Sequence, residues 1–342
     1  MNILVFNPSF IGDSILTTPL CKALKKLYPD SRIFFCVRPE STQLFDNLKF
    51  IDKVISFDKR GEEKGLKGVK SFVKKINSET KIDLLISAHK SLRSTLTCYL
   101  IKAKKSVGFK EAALSFLYNL TVNRDMSLHE VERNLMLLQP VVNNFSLKEI
   151  KTIAGKPEIS YSLQMFNNIK NFLEITFPNK KYIGIAPGSV WPTKMWPAEY
   201  YAKLIDLLPD NCIPIVFGAK SEVAVVEEIK KSVKKHFIDL SGKTNLLELS
   251  TWIRALDLLV SNDSAPLHMA VSHNVPVVAI FGPTVKSLGF YPYDEKSIVV
   301  EVENLYCRPC GLHGGKKCPE KHFRCMRDIK PQTVLESILR FI

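Results

Sequence analysis

Short apolar runs alternate with amphipathic stretches along the chain. Residues 3–6, Ile-Leu-Val-Phe, form one such run; a loop of small and polar residues follows, and apolar positions then recur at Ile15, Leu16, Leu20 and Leu24, the spacing of a helix with one buried face. The order strand, loop, helix repeats. Residues 32–37, 53–57 and 83–87 read as further strands, with helices over 69–76 and 91–101. A polar stretch at 143–160 interrupts the pattern, which restarts with strands at 182–186, 212–217, 237–240, 258–261 and 275–281. Helices are predicted between them at 198–208 and 222–234, and a terminal amphipathic helix at 331–342 opens on Pro331, a residue suited to a first turn. Strands that are apolar throughout and joined by helices belong to parallel sheets covered on both faces. The pattern therefore predicts an α/β protein of two doubly wound sheets. Such sheets bind ligands at the carboxyl ends of their strands, and two of them facing one another would leave a cleft there.

Length and charge sharpen this picture. At 342 residues the chain exceeds one ordinary compact unit, and 46% apolar content is enough to bury two cores. The net charge is +14, but it is uneven: residues 1–170 hold 27 Lys and Arg against 16 Asp and Glu, while the remainder holds 21 against 18. An acidic partner for the first half is implied. Part of the excess falls in 59–81, where lysines and glutamates share a helical stretch that reads as a solvated face. No nucleic-acid signature or aromatic platform accompanies the charge, so nucleic acid is not the expected partner. No apolar run approaches the roughly 18 residues of a membrane span, and the first ten residues lack a secretion signal, so a soluble, cytoplasmic chain is expected.

Three loops at predicted strand ends carry candidate chemistry. Gly12-Asp13 follows the first strand; without a G-x-G-x-x-G or a lysine after the glycine, a dinucleotide or ATP loop is disfavoured. Gly12 would permit a tight turn, and Asp13 is either a helix N-cap or a general base at the mouth of the cleft. The second loop, Ala186-Pro187-Gly188-Ser189-Val190-Trp191-Pro192-Thr193-Lys194-Met195-Trp196-Pro197, offers backbone donors and one cation to a diphosphate, or else packs its tryptophans between domains. In the third, Ser261-Asn262-Asp263-Ser264-Ala265-Pro266-Leu267-His268, a helix would present its amides from Pro266 onward; Asp263 and Ser264 could cap it, and His268 could be a satisfied buried histidine. Glu222, after Phe217-Gly218-Ala219-Lys220-Ser221, could take a ribose or cap the next helix.

These loops, together with Asn7-Pro8-Ser9-Phe10-Ile11-Gly12-Asp13 and Phe281-Gly282-Pro283-Thr284, closely resemble the ADP-heptose:lipopolysaccharide heptosyltransferases, and within them the heptosyltransferase II branch. The resemblance spans nearly the whole chain. It implies two Rossmann-like domains of the GT-B type, and an inverting, metal-independent transfer of heptose from ADP-heptose to the lipopolysaccharide inner core. It also implies an acceptor domain over 1–160, a donor domain over 161–325, and a terminal segment, 326–342, packing back on the first domain. By the same resemblance Asp13 deprotonates the acceptor hydroxyl. Lys194, Ser189 and the amides of Asp263, Ser264 and Ala265 stabilise departing ADP, Glu222 holds the ribose, Thr244 lines the adenine pocket, and His268 lies by the diphosphate and donor sugar. Ala265-Pro266 departs from the glycine often found there. On the acceptor side it points to Ser9, Gly12, His89, Lys90, Arg93 and Arg133; Arg133 lies in His129-Glu130-Val131-Glu132-Arg133-Asn134 and could instead neutralise Glu130 three positions earlier. The implied partners are a nucleotide sugar, an anionic lipopolysaccharide core and the inner-membrane surface, with no cofactor required. Heptosyltransferase I, or a relative using another nucleotide sugar, is the alternative within this class; a binding module without catalysis is the alternative outside it.

Eight cysteines remain. Cys21, Cys36, Cys98 and Cys212 sit singly among apolar residues, as buried thiols do. Cys307, Cys310, Cys318 and Cys325 crowd together. Four thiolates could close a structural zinc site, although a second C-x2-C pair is missing, and reduced thiols or a redox-sensitive pair are the other readings.

Overall fold

In a computed structural model describing all residues from Met1 to Ile342, six parallel strands make the first sheet. They are β1 (Asn2–Phe6), β2 (Arg32–Val37), β3 (Lys53–Ser56), β4 (Leu84–Ser87), β5 (Lys105–Phe109) and β6 (Leu120–Val122), in the order β3-β2-β1-β4-β5-β6. From β1 the chain moves to one side of the sheet and from β4 to the other. The loops after these two central strands therefore diverge and open a crevice, the usual ligand position in an open α/β sheet. Ile3, Leu4, Val5 and Phe6 of β1 are fully buried, and Phe6 lies beside Cys36 and Ser87 in register.

The second sheet repeats the plan. Its strands are β7 (Lys181–Ala186), β8 (Cys212–Val216), β9 (Ile238–Asp239), β10 (Leu258–Asn262), β11 (Val277–Phe281) and β12 (Ile298–Glu301), all parallel, in the order β12-β11-β10-β7-β8-β9. The switch point is now between β7 and β10, so the loops beginning at Pro187 and Asp263 share a crevice. The chain divides into two units, Met1–Ser160 and Tyr161–Ile342.

Three strands, β5, β6 and β12, were not visible in the pattern. The polar stretch at 143–160 contains a helix of its own. Ser146 caps a helix, Leu147–Ala154, by accepting from the Glu149 amide, and Ile150 and Ala154 are buried as it packs on the helix Thr18–Leu27. Glu158, close to the end of that stretch, pairs with Lys22. The terminal helix, Pro331–Ile338, buries Val334, Leu335 and Ile338 in the second unit's core and packs on the helix Ala198–Leu207. This corrects the expectation that the terminal segment packs back on the first domain: its apolar face is used within the second unit. No helix is long and apolar enough to cross a membrane.

Candidate active site

The chain leaves β1 through residues 7–10 and enters a short helix, Ile11–Ile15. Phe10 occupies the N-cap and no side chain caps the helix, so the capping role considered for Asp13 is not the one observed. Asp13 stands in the first turn, where the helix dipole favours a negative charge. Gly12 has ordinary helical backbone rather than the tight turn expected of it. The Ser9 hydroxyl donates to Asp13 Oδ2 at 2.6 Å. Below the carboxylate lies a polar truss. Thr17 Oγ1 donates to the Asp13 carbonyl at 2.8 Å and accepts from Asn7 Nδ2 at 2.7 Å and from Asn134 Nδ2 at 3.4 Å, which uses its single proton and both lone pairs. Asn134 Nδ2 also reaches the Leu16 carbonyl at 3.3 Å. All three side chains are buried, and their donors fix the backbone that carries Asp13, while the amide oxygens of Asn7 and Asn134 have no hydrogen-bond partner.

Around this carboxylate the charge is mostly positive. Arg38, at the end of β2, is almost buried; its guanidinium lies 4.7 Å over the Phe10 ring, Nε donates to the Pro8 carbonyl at 3.4 Å, and its charge reaches both Asp13 and Glu40. Lys59 also senses Asp13, yet burial, followed by Arg38, Arg60 and Arg93, pushes its ammonium down to about 8. His89 follows β4, with Nδ1 2.6 Å from Ser94 Oγ and 3.2 Å from Ser91 Oγ. Burial first, then Lys59, Arg38 and Lys90, push its imidazole down to about 3, so it is neutral near pH 7. Arg93 is exposed and donates to the Lys59 carbonyl. Lys90 is half-buried, and its ammonium is pushed down by burial and by Arg124.

Arg133 requires a correction. Its side chain is wholly buried, with Nη1 3.2 Å from Glu130 Oε2, Nη2 donating to the Met126 carbonyl at 2.6 Å and Nε to the Asp125 carbonyl at 3.0 Å. It holds a loop and a buried carboxylate and has no surface to offer an acceptor. Its neighbours are structural too: the His129 ring accepts from the Val131 amide, and Glu132 accepts from the His129 amide.

In the second unit, Lys194 Nζ lies 2.6 Å from Asp263 Oδ2, and Thr284 Oγ1 donates to the same oxygen at 2.7 Å. Lys194 is therefore the partner of a buried carboxylate as well as a candidate for the diphosphate; an ammonium has three donors, which leaves some for an anion. Neither candidate cap serves the helix Ala265–Ser272. Asp263 faces Lys194, while Ser264 occupies the N-cap position but turns its hydroxyl to the Asn262 carbonyl at 3.3 Å. In the first turn Pro266 has no N–H and the Leu267 amide donates to the Ser264 carbonyl at 3.2 Å, so the Ala265 amide is left without a side-chain cap. Asn262, fully buried, joins the two loops: Nδ2 donates to the Pro187 carbonyl at 2.8 Å, and Oδ1 accepts from the Trp196 amide at 3.2 Å and the Tyr201 hydroxyl at 2.9 Å. Trp196 is a core residue of this unit, packed edge-on to Tyr201 at 4.9 Å, which replaces the reading of it as a packing group between domains.

Glu222 accepts from the Ala219 amide at 2.8 Å and makes no side-chain cap on the next helix, Val223–Ser232, the capping role considered from sequence; its carboxyl lies against Gly188, where a Cβ would come within 2.0 Å of it. Ser189, the next residue, is half-buried and accepts from the Trp191 amide at 3.3 Å. Thr244 is half-buried just before Asn245, which caps the helix Leu246–Arg254. His268 is buried one turn into its helix. The structure therefore brings Lys194, Asp263 and Ser264 together, and Ser189 with Glu222, each at the carboxyl ends of β7 to β10.

A sequence profile of glycosyltransferase family 9 (heptosyltransferase) matches residues 69–322. The chain belongs to this family. It is 28% identical over 344 positions to lipooligosaccharide heptosyltransferase 2 of Campylobacter jejuni subsp. jejuni serotype O:6, covering 99% of this chain and 98% of the relative. A family 9 glycosyl transferase from Veillonella parvula superposes with a TM-score of 0.87 at 24% identity, over 99% of this chain and 96% of that one. E. coli ADP-heptose lps heptosyltransferase II does so with 0.78 at 22%, over 100% and 98%. The shared fold is GT-B, with two Rossmann-like domains.

In this heptosyltransferase the four clustered cysteines do not form the tetrahedral set considered from their spacing. All are free thiols, and no group of three or more His, Cys, Asp or Glu side chains is arranged to hold a metal ion. Cys310 Sγ donates instead to the Cys307 carbonyl at 3.1 Å. The cysteine-rich loop is a brace. Gly315 exchanges hydrogen bonds with Thr193 at 2.7–3.1 Å, and Arg308 donates to the Thr284 carbonyl at 2.7 Å and pairs with Glu301 at 2.7 Å. Arg38, Lys59, Thr17, Asn262 and Thr284 were missed in the sequence. Thr284 and Asn262 carried a signal, through their places in Phe281-Gly282-Pro283-Thr284 and Ser261-Asn262-Asp263-Ser264; the others depend on which strands become neighbours.

Proposed function

We propose that the protein is a heptosyltransferase of the type II branch, moving heptose from ADP-heptose to the inner core of lipopolysaccharide with inversion at the anomeric carbon. Asp13 acts as general base on the acceptor hydroxyl. A lone carboxylate is enough because ADP leaves as a stabilised anion and needs charge compensation more than a proton. The Asp13 arrangement supports this best: a carboxylate held by one hydroxyl, on a backbone fixed by buried hydrogen bonds, among cations suited to an anionic acceptor. On the donor side, Lys194 and the amides of Ser264 and Ala265 take the diphosphate, Ser189 assists, Glu222 holds the ribose, Thr244 borders the adenine and His268 the donor sugar. Ser9, Gly12, His89, Lys90 and Arg93 serve the acceptor. The first unit is the acceptor domain and the second the donor domain, working in the cytoplasm at the inner-membrane surface. Near-complete coverage of a heptosyltransferase 2 by the alignment favours this branch.

The test is transfer by purified protein from ADP-heptose, GDP-heptose and UDP-sugars to core acceptors with and without the first heptose. Product only with ADP-heptose and the heptose-bearing acceptor is expected. Transfer to the heptose-free acceptor alone would assign the type I reaction, and turnover with another nucleotide sugar would overturn the donor.

A further inference from the structure

The helices Gly65–Glu79 and Leu92–Leu100 pack against one another in the first unit, and between them lies an open groove of about 1230 Å³. Its floor and lips are apolar. Leu66, Leu92, Tyr99 and Leu100 stand out from the surface, Leu66 with 75% of its area exposed. Single exposed apolar residues need no explanation, but three leucines and a tyrosine around one groove do. Lys59, Arg60, Lys64, Lys70 and Arg93 border the same groove, and no carboxylate is among its lining residues.

The charge narrows the choice of occupant. A second copy of the chain on this face would set cations against cations. A nucleic acid would leave the leucines uncovered and find a single aromatic ring. An anionic bilayer meets both features, since leucines and a tyrosine enter the headgroup boundary while lysine and arginine heads reach the lipid phosphates.

We infer that the face formed by these two helices docks the enzyme on an anionic membrane, with Leu66, Leu92, Tyr99 and Leu100 inserted and Lys64 and Lys70 against the headgroups. This names the surface behind the membrane partner of the proposed function and rests on that reading. The experiment measures co-sedimentation of the full chain, without donor or acceptor, with vesicles of phosphatidylcholine alone and of its equal mixture with phosphatidylglycerol. Binding to the anionic vesicles only, weakened by salt, is expected. The pair Lys64→Gln and Lys70→Gln should lower partitioning roughly 20–30-fold, from about fivefold per cation. The exposed pair Leu66→Ser and Tyr99→Ser should lower it as well. Both pairs should keep wild-type transfer to a soluble, deacylated acceptor, so a failed transfer reaction and a failed docking surface are read separately. Absent binding, equal binding to neutral vesicles, or unchanged partitioning of both variants would overturn the inference. So would a dimer abolished by the same substitutions in a protein that ignores vesicles.

Discussion

Asp13 and Asp263 both follow a central strand at a switch point, Asp263 directly after β10 and Asp13 in the short helix beyond β1, yet their surroundings differ. Asp13 Oδ2 receives one hydroxyl proton, and the cations that sense its charge are not in ion-pair contact with it. Asp263 Oδ2 is in contact with an ammonium at 2.6 Å and a hydroxyl at 2.7 Å. A carboxylate that removes a proton must keep a lone pair open to the substrate, and one that organises a cation must not. The difference separates a carboxylate suited to act as a base from one that clamps a cation, although in sequence both are aspartates in a loop or helix that follows an apolar strand. It also contrasts two electrostatic designs: charges paired within the second unit, and cations left in excess on the first.

Removing the base should have the largest effect. Asp13→Asn keeps the Ser9 contact and the helix, so ADP-heptose affinity by calorimetry should be unchanged while kcat falls about 10²–10⁴-fold. Near wild-type turnover would erase the distinction between the two carboxylates. Breaking the clamp comes next. Lys194→Met leaves Asp263 buried and uncompensated and should cost about 3–5 kcal/mol in denaturant unfolding, with donor affinity reduced. Adding Asp263→Asn should restore much of the stability but not the donor affinity. If the double variant is no more stable than the single one, the pair is not the clamp described.

The truss offers a smaller break. Asn134→Ala removes both the bond to Leu16 and the bond to Thr17, and should cost about 1–3 kcal/mol of stability. Because the Asp13 backbone loosens with it, kcat should fall about tenfold at constant KM. A stability loss with unchanged kcat would show that the truss merely holds the fold.

The two sheets were largely legible because parallel strands buried on both faces are written as unbroken apolar runs. Those at 32–37 and 258–261 agree with β2 and β10 to within a residue. β5 and β6 escaped because Lys105-Ser106-Val107-Gly108-Phe109 and Leu120-Thr121-Val122 are short or mixed and lie near a sheet edge. At the site, the loops were visible but the roles within them were not. Whether Asp263 caps a helix or binds Lys194 depends on contacts 69 residues apart, and the burial of Arg133 depends on the carbonyls of a loop with no regular pattern. Arg38 was unreadable for the same reason: its proximity to Asp13 follows from β2 lying beside β1.

The smallest effect, a pH dependence, tests the electrostatic half of the comparison. His89 in the first unit and His273 in the second are both pushed down to about 3, chiefly by burial. Each binds more protons unfolded than folded between pH 6.5 and 3. Stability is therefore fully present above 6.5 and declines as pH falls through that window, by at most about 1.4 kcal/mol per unit for each group. The added causes differ: Lys59, Arg38 and Lys90 act on His89, but only Arg254 on His273, whose Nε2 lies 2.8 Å from Ser250 Oγ. His89→Gln should flatten the acid slope more at low salt than at high salt, since salt screens the partly exposed cations around it. His273→Gln should flatten it with little salt dependence. Equal salt dependence in chemical denaturation from pH 7 to 4 would mean that the cation excess around Asp13 is not felt by the fold, and the contrast between the two domains would then reduce to one ion pair.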